Sequence, residues 1–266
     1  MNIDLRLGDC LEVMKTIKDN SVDAVITDIP YGTTSCKWDS VIAFDLMWEQ
    51  LNRITKNNSA IVLFGAEPFA TNLRLSNLDN WKYDWVWHKN QPSGQFNASK
   101  MPMKAYETIS VFYKKQPTYN PQMINRTEKE LKRLSHKSVE GVSTDTVYGD
   151  INRKSLNRYE NTTKYPTNVI TGIKCVFNRG GEKVKHPTQK PLELMRYLIN
   201  TYTNKSETVL DFTMGSGTTM VACVETERNG IGIELDEAYY ELSKKRVEEK
   251  KEEKDNEAPT LFNEQN

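Results

Sequence analysis

The chain has 266 residues, 37% of them hydrophobic, and its 36 Lys and Arg balance 36 Asp and Glu. That length buries one good core, alone or with a small appended lobe. The longest apolar runs, such as Ser59 to Phe64, are too short to cross a bilayer and the first residues carry no basic-then-apolar signal pattern, so no membrane partner and a cytoplasmic setting are expected. Cys10, Cys36, Cys175 and Cys223 are scattered without a C-x-x-C pair, which argues against a zinc site or a disulfide framework, and no metal is expected.

A strand is predicted at Ile3–Leu7, followed by the turn Gly8-Asp9-Cys10 and a helix over Leu11–Ile17. Val22–Asp28 is an apolar, β-branched run that leads into Asp28-Ile29-Pro30-Tyr31-Gly32. A plain strand-to-loop turn explains Pro and Gly there. Ligand chemistry in open α/β sheets nevertheless gathers at the carboxyl ends of strands, which makes the tetrapeptide from Asp28 a candidate site. Lys37 and Trp38 follow it. A helix over Phe44–Ile54 and strands at Ala60–Phe64, Tyr83–Trp87 and Thr108–Tyr113 come next. Trp81, Trp85 and Trp87 have alternate members on one strand face and read as core or as a pocket wall.

From about Gln116 to Lys185 this rhythm breaks into polar sequence rich in Asn, Thr and Lys, expected to be a functional insertion or a small lobe. Residues 120 to 185 hold 13 Lys and Arg against 7 Asp and Glu, while Glu248 to Asn266 hold 7 acids and 3 lysines, so a basic middle is masked by an acidic end. Beyond the insertion, helices at Leu192–Thr201, Thr218–Glu227 and Glu237–Lys251 alternate with strands at Thr208–Phe212 and Ile231–Leu235. Alternation of strand and helix marks a mostly parallel sheet covered on both faces. Four segments are expected: 1–115, 116–185, 186–250 and a disordered acidic tail, 251–266.

The strand ending in Asp211-Phe212 runs straight into Thr213-Met214-Gly215-Ser216-Gly217-Thr218-Thr219 and then a helix, so Gly215 and Gly217 let backbone approach a ligand at a helix N-terminus. The phosphate loop G-x-x-x-x-G-K-[ST] is absent, and Met220 stands where a dinucleotide fingerprint needs its third glycine. Glu234 ends the next strand 23 positions after Asp211, near where ribose hydroxyls are held in nucleotide-binding α/β folds. A glycine loop with a ribose acid and no phosphate machinery suggests an adenosine-containing ligand lacking phosphates.

Taken together, these segments resemble the amino-group DNA methyltransferases with the catalytic motif first. Asp28-Ile29-Pro30-Tyr31 is similar to their D-P-P-Y signature, Asp211 to Thr219 to their glycine loop, His186-Pro187-Thr188-Gln189-Lys190-Pro191 to the segment before that loop, and Gly8-Asp9-Cys10 to their cofactor-adenine segment. The resemblance spans about residues 1 to 113 and 184 to 247. It implies a Rossmann-like, S-adenosylmethionine-dependent α/β fold with a mostly parallel seven-stranded sheet and an inserted target-recognition region.

The same resemblance implies transfer of a methyl group to the 6-amino group of adenine in DNA, with the base flipped out of the duplex. It assigns catalysis to Asp28, Ile29 through its carbonyl, Pro30 and Tyr31. Cofactor binding falls to Asp9, Cys10, Lys190, Asp211, Thr213, Gly215, Ser216, Gly217, Thr218 and Glu234, with Lys190 on the cofactor's carboxylate. Lys37 and Trp38 would contact DNA. Double-stranded DNA is the implied partner, with a homodimer and a cognate restriction nuclease by family analogy. Two departures stand out: Ile29 replaces the first proline, and Phe212-Thr213 replaces a Pro-Phe pair, which would remove an aromatic contact to the cofactor. Methylation of the cytosine 4-amino group, of an RNA or protein amide, or a catalytically inactive DNA-binding homologue are the alternatives.

Overall fold

The computed structural model describes residues 1–32, 40–135, 162–176 and 189–257. In chain order the elements are β1 (Ile3–Leu7), α1 (Cys10–Met14), β2 (Val22–Thr27), α2 (Phe44–Ile54), β3 (Thr55–Gly65), α3 (Phe69–Leu75), β4 (Trp81–Ser93) and β5 (Lys104–Phe112). There follow β6 (Ile124–Asn125), α4 (Glu128–Ser135), β7 (Thr163–Lys164), β8 (Val169–Ile170), α5 (Leu192–Tyr202), β9 (Thr208–Asp211), α6 (Thr218–Thr226), β10 (Asn229–Glu234) and α7 (Glu237–Glu257). None of the described helices is long and apolar enough to cross a membrane.

The larger unit comprises residues 1–120 and 168–266. Its eight-stranded sheet has the order β1-β10-β9-β2-β3-β5-β4-β8. Every strand runs in one direction except β5, which is antiparallel to β3 and to β4. All seven strands read from the sequence are present. The eighth, β8, has only two residues, too few for a periodic signal, and pairs Val86 with Val169.

Strands buried on both faces alternate their side chains between two cores. Ala24 and Ile26 of β2 join α5, α6 and α7 on one face, and Val25 joins α1, α2 and α3 on the other. Trp85 and Trp87 belong to the first core, with their indole N–H groups donating to the Tyr202 hydroxyl at 2.6 Å and the Ile173 carbonyl at 3.1 Å. Trp81 is half-buried and donates to Asp84.

The smaller unit is residues 121–167, within the segment 116–185 expected to be an insertion. Val169 and Ile170, in that same expected segment, instead extend the large sheet. In the small unit Ile124 pairs antiparallel with Lys164. Its helix α4 starts with a reciprocal cap: the Thr127 amide donates to Glu130 at 2.8 Å, and the Glu130 amide to the Thr127 hydroxyl at 3.3 Å. At the chain's end, α7 continues to Glu257, past the expected start of a disordered tail at 251. It is held there by Lys254, which donates to the Val224 carbonyl of α6 at 2.9 Å, and by Lys250, 3.1 Å from Glu225. Residues 258–266 lie outside the described residues.

Candidate active site

β9 and β2 are adjacent, with Ala24 opposite Val209. From β9 the chain leaves through α6, on one face, to reach β10; from β2 it leaves through α2, on the other face, to reach β3. Diverging crossovers open a crevice at the carboxyl ends of two neighbouring strands. Asp28 follows the last residue of β2, and Phe212-Thr213 follows β9, so both motifs end at this crevice.

Hydrogen bonds tie the two ends together. The Thr27 hydroxyl donates to Asp211 Oδ1 at 2.6 Å and lies 2.7 Å from the Thr213 hydroxyl, which also reaches the Asp28 carbonyl at 3.2 Å. With the Thr27 proton spent on Asp211, the single Thr213 proton is shared between the Thr27 hydroxyl oxygen and the Asp28 carbonyl. The residue read from the sequence as a lost aromatic contact thus links the glycine-loop strand to the tetrapeptide. Nothing in the sequence connects Thr27 with it.

Burial lifts the Asp211 carboxyl to about 6, against hydrogen bonds from Thr219, Thr27 and the Thr213 amide that pull it down. A carboxyl whose folded pKa exceeds its unfolded value of 3.8 favours folding below that value, and the advantage is lost as pH rises to about 6. Above that, the buried charge costs on the order of 3 kcal/mol. Asp211→Asn is therefore expected to gain stability over the parent as pH rises from 4 to 7, read as the difference of their melting temperatures. A gap constant over that range would contradict a buried, proton-retaining Asp211.

In the tetrapeptide, Ile29 is buried among the α1, α2 and α3 side chains. Packing supplies the anchoring that a ring would give to proline at that position. Pro30 is half-buried. Tyr31 donates from its hydroxyl to Asp28 Oδ1 at 2.5 Å, and its ring lies 5.0 Å from that of Phe69.

The other carboxylate oxygen, Asp28 Oδ2, accepts from the Lys190 ammonium. The sequence reading sent Lys190 to the cofactor's carboxylate; here its ammonium is turned to the Asp28 and Glu107 carboxylates and lies 5.1 Å from the centre of the Phe64 ring. Lys190 is 8% exposed. Burial would push its pKa down, but Asp28 and Glu107 overcome this and hold it above the ordinary lysine value. Glu107, on β5, was not singled out by its sequence; a lone acid at the head of the apolar run Thr108–Phe112 is the one signal that marks it. Burial raises its carboxyl, and Lys190 and Lys89 outweigh that and lower it.

The glycine loop bends through positive φ at Gly215 (52°) and Gly217 (76°). Its Gly215 amide donates to Glu234 Oε2 at 2.8 Å, while the Asp236 amide donates to Oε1 at 2.9 Å. Burial raises the Glu234 carboxyl despite those bonds. From α7, Arg246 donates to the Ser216 carbonyl at 2.6 Å and to its hydroxyl at 3.0 Å, and Ser216 donates to Gln189 at 3.1 Å. Thr218, buried, opens α6 and accepts from Arg246 at 3.2 Å.

Across the sheet edge, the Gly8 amide donates to the Glu234 carbonyl at 2.8 Å, placing the Gly8-Asp9-Cys10 turn beside the loop acid. Asp9 is exposed and caps α1 by accepting from Leu11 and Glu12. Cys10 is buried, its thiol pushed up to about 12 by burial and by Asp9. Lys37, Trp38, His186, Pro187 and Thr188 lie outside the described residues.

The chain is 26% identical over 91% of its length to the Type II methyltransferase M.HinfI of Haemophilus influenzae, covering 67% of that protein. It is 26% identical over 92% of its length to the Type II methyltransferase M.HpaI of Haemophilus parainfluenzae, covering 75%. Among solved structures, the M1.HpyAVI–SAM complex matches 92% of this chain and 98% of its own, with 27% identity and a TM-score of 0.61. The cytosine-N4-specific PvuII DNA methyltransferase shares the fold, with a TM-score of 0.65 at 17% identity over 92% of this chain and 86% of its own. The family profile described as DNA methylase matches residues 22–245, from the start of β2 into α7, and the chain belongs to that family of amino-group DNA methyltransferases.

Proposed function

We propose that the chain methylates the 6-amino group of adenine in double-stranded DNA, using S-adenosylmethionine. The observation that supports this reading is the knot of Thr27, Asp211, Thr213 and Asp28, which sets an acceptor turn against a glycine loop at one crevice. The donor set fits the cofactor. Glu234 is fixed by two backbone amides, and each of its oxygens keeps a lone pair for a ribose hydroxyl. Asp9 and Cys10 lie beside it for the adenine, and the Gly215–Gly217 turn offers backbone for the methionine part. S-adenosylmethionine, when bound, supplies an electrophilic methyl group.

An adenine amine is a weak nucleophile because its lone pair is delocalised into the ring. Two acceptors, the Asp28 carboxylate and the Ile29 carbonyl, would draw its two N–H bonds out of conjugation and localise the pair on nitrogen. The proton that the nitrogen gives up has Asp28 as its nearest base. Tyr31 would stack on the base, a contact worth about 1–3 kcal/mol. A base inside a duplex cannot reach this crevice, so flipping at a cost of a few kcal/mol is required. The basic excess of residues 120 to 185 suits phosphate contacts, and that segment is proposed to read the flanking sequence.

A carboxylate at the head of the tetrapeptide favours adenine over cytosine, since family enzymes acting on cytosine more often carry serine there. Incubation with unmodified DNA, digestion to nucleosides and mass spectrometry should reveal N6-methyladenine; N4-methylcytosine would overturn the base assignment. On the cofactor side, Glu234→Ala should weaken S-adenosylmethionine binding at least tenfold by isothermal titration, about the value of one charge-assisted hydrogen bond. Unchanged affinity would remove Glu234 from the ribose.

A further inference from the structure

Both oxygens of Asp28 are engaged, Oδ1 by the Tyr31 hydroxyl at 2.5 Å and Oδ2 by the Lys190 ammonium. An amine that binds there must share or replace one of these donors. Tyr31 belongs to the same turn, but Lys190 comes from the segment just before α5 and has somewhere else to go. Its Nζ lies 3.3 Å from Glu107 Oε2, a buried oxygen that pairs with this ammonium but accepts no well-aligned hydrogen bond among the described residues. A buried carboxylate oxygen that is ion-paired but lacks a well-aligned hydrogen bond has capacity to take one. Glu107 is itself held in place through its other oxygen, Oε1, by Lys89 at 3.1 Å.

We propose that Glu107 is a positioning residue: when a base amine enters, Lys190 transfers its hydrogen bond from Asp28 Oδ2 to Glu107 Oε2, freeing the Asp28 oxygen for the amine. The inference rests on the reading of Asp28 as the amine's acceptor. Closing 3.3 Å to a charge-assisted bond of about 2.8 Å takes roughly half an ångström at the end of a flexible side chain, and a further swing about its last torsions, turning the ammonium protons away from Oδ2, completes the release. The ammonium is never left buried without a counter-charge, which would be prohibitive. Phe64, beneath the ammonium, gives it an electrostatically favourable surface in either position.

The test is a double-mutant cycle on methyl transfer to unmodified DNA, with turnover, DNA affinity and cofactor affinity measured for the parent, Glu107→Gln, Lys190→Met and the pair. Glu107→Gln removes the alternative charge and leaves Lys190 fixed on Asp28. Turnover is expected to fall up to about 100-fold, the size of a geometric misplacement at a reacting centre. Cofactor and DNA affinities should stay within twofold. In the pair, Glu107→Gln should cost nothing beyond Lys190→Met alone, because no ammonium remains to be moved. Turnover of Glu107→Gln within twofold of the parent, or losses that multiply in the pair, would overturn the proposal.

Should Glu107→Gln fail to bind cofactor, Glu107→Asp, which keeps the charge but withdraws it, replaces it under the same criterion of non-additivity. Absence of transfer by the parent protein would count against the proposed activity itself. An active parent with an unaffected Glu107→Gln counts against Glu107 alone.

Discussion

Asp28→Ala is expected to lower methyl transfer at least about 1,000-fold while S-adenosylmethionine still binds within a fewfold of the parent. Asp28 sits on the tetrapeptide, and its carboxylate touches Tyr31 and Lys190 but none of the groups around Glu234. The two functions can therefore be separated by one substitution. Removal of the carboxylate leaves the amine with a single acceptor and its lone pair in conjugation. The Lys190 ammonium keeps Glu107 as counter-charge, so the fold should survive. Asp28→Asn, which still offers one carbonyl acceptor but no base, should retain more turnover than the alanine variant. Single-turnover transfer from labelled cofactor, beside a calorimetric binding curve, measures both quantities; turnover by Asp28→Ala near that of the parent would remove Asp28 from catalysis.

Gly217→Ala should lose both stability and cofactor binding. At φ 76° a side chain adds about 1–2 kcal/mol of strain. Space is worse: a Cβ at Gly217 would lie 2.6 Å from the Ser243 Cβ and 3.1 Å from its Cα, and backbone of α7 cannot turn aside as a flexible side chain would. Relief requires α7 to move from the loop, which also draws Arg246 away from Ser216. Such overpacking typically costs another 1–3 kcal/mol. A melting temperature lowered by several degrees, with S-adenosylmethionine affinity down tenfold or more, is the expected outcome. A variant as stable as the parent would mean that the loop does not pack on α7 as described.

Seven strands and the alternation were readable because strands buried on both faces are written as near-continuous apolar runs, as in Ala60–Phe64. Their limits were not. β3 starts at Thr55, five residues before the apolar run, because Thr55 pairs with Val22 of β2, and the exposed Lys56, Asn57 and Asn58 form an irregular stretch before pairing resumes between Ala60 and Ala24. α3 has seven residues, too short for a sustained period, and was missed.

The site divides in the same way. Asp28, Gly215, Gly217 and Glu234 lie in contiguous motifs and could be read from spacing. Thr27 and Glu107 could not, since each acts across the fold, Thr27 on Asp211 184 positions away and Glu107 on Lys190 from β5. Lys190 stood out in the sequence as a candidate for the cofactor's carboxylate, whereas its ammonium lies on Asp28. A charge's partner depends on which strand end it faces, and pairing order is not written in local sequence.

On the proposed function, one crevice, between the ends of β2 and β9, serves both the amine and the methyl donor. A crystal structure with a stable S-adenosylmethionine analogue tests it most directly. The expected density has the methionine part along Gly215–Gly217, a ribose on Glu234, and the methyl position opening toward Asp28. Density for the analogue anywhere that leaves Asp28 on the opposite side of the sheet would contradict it.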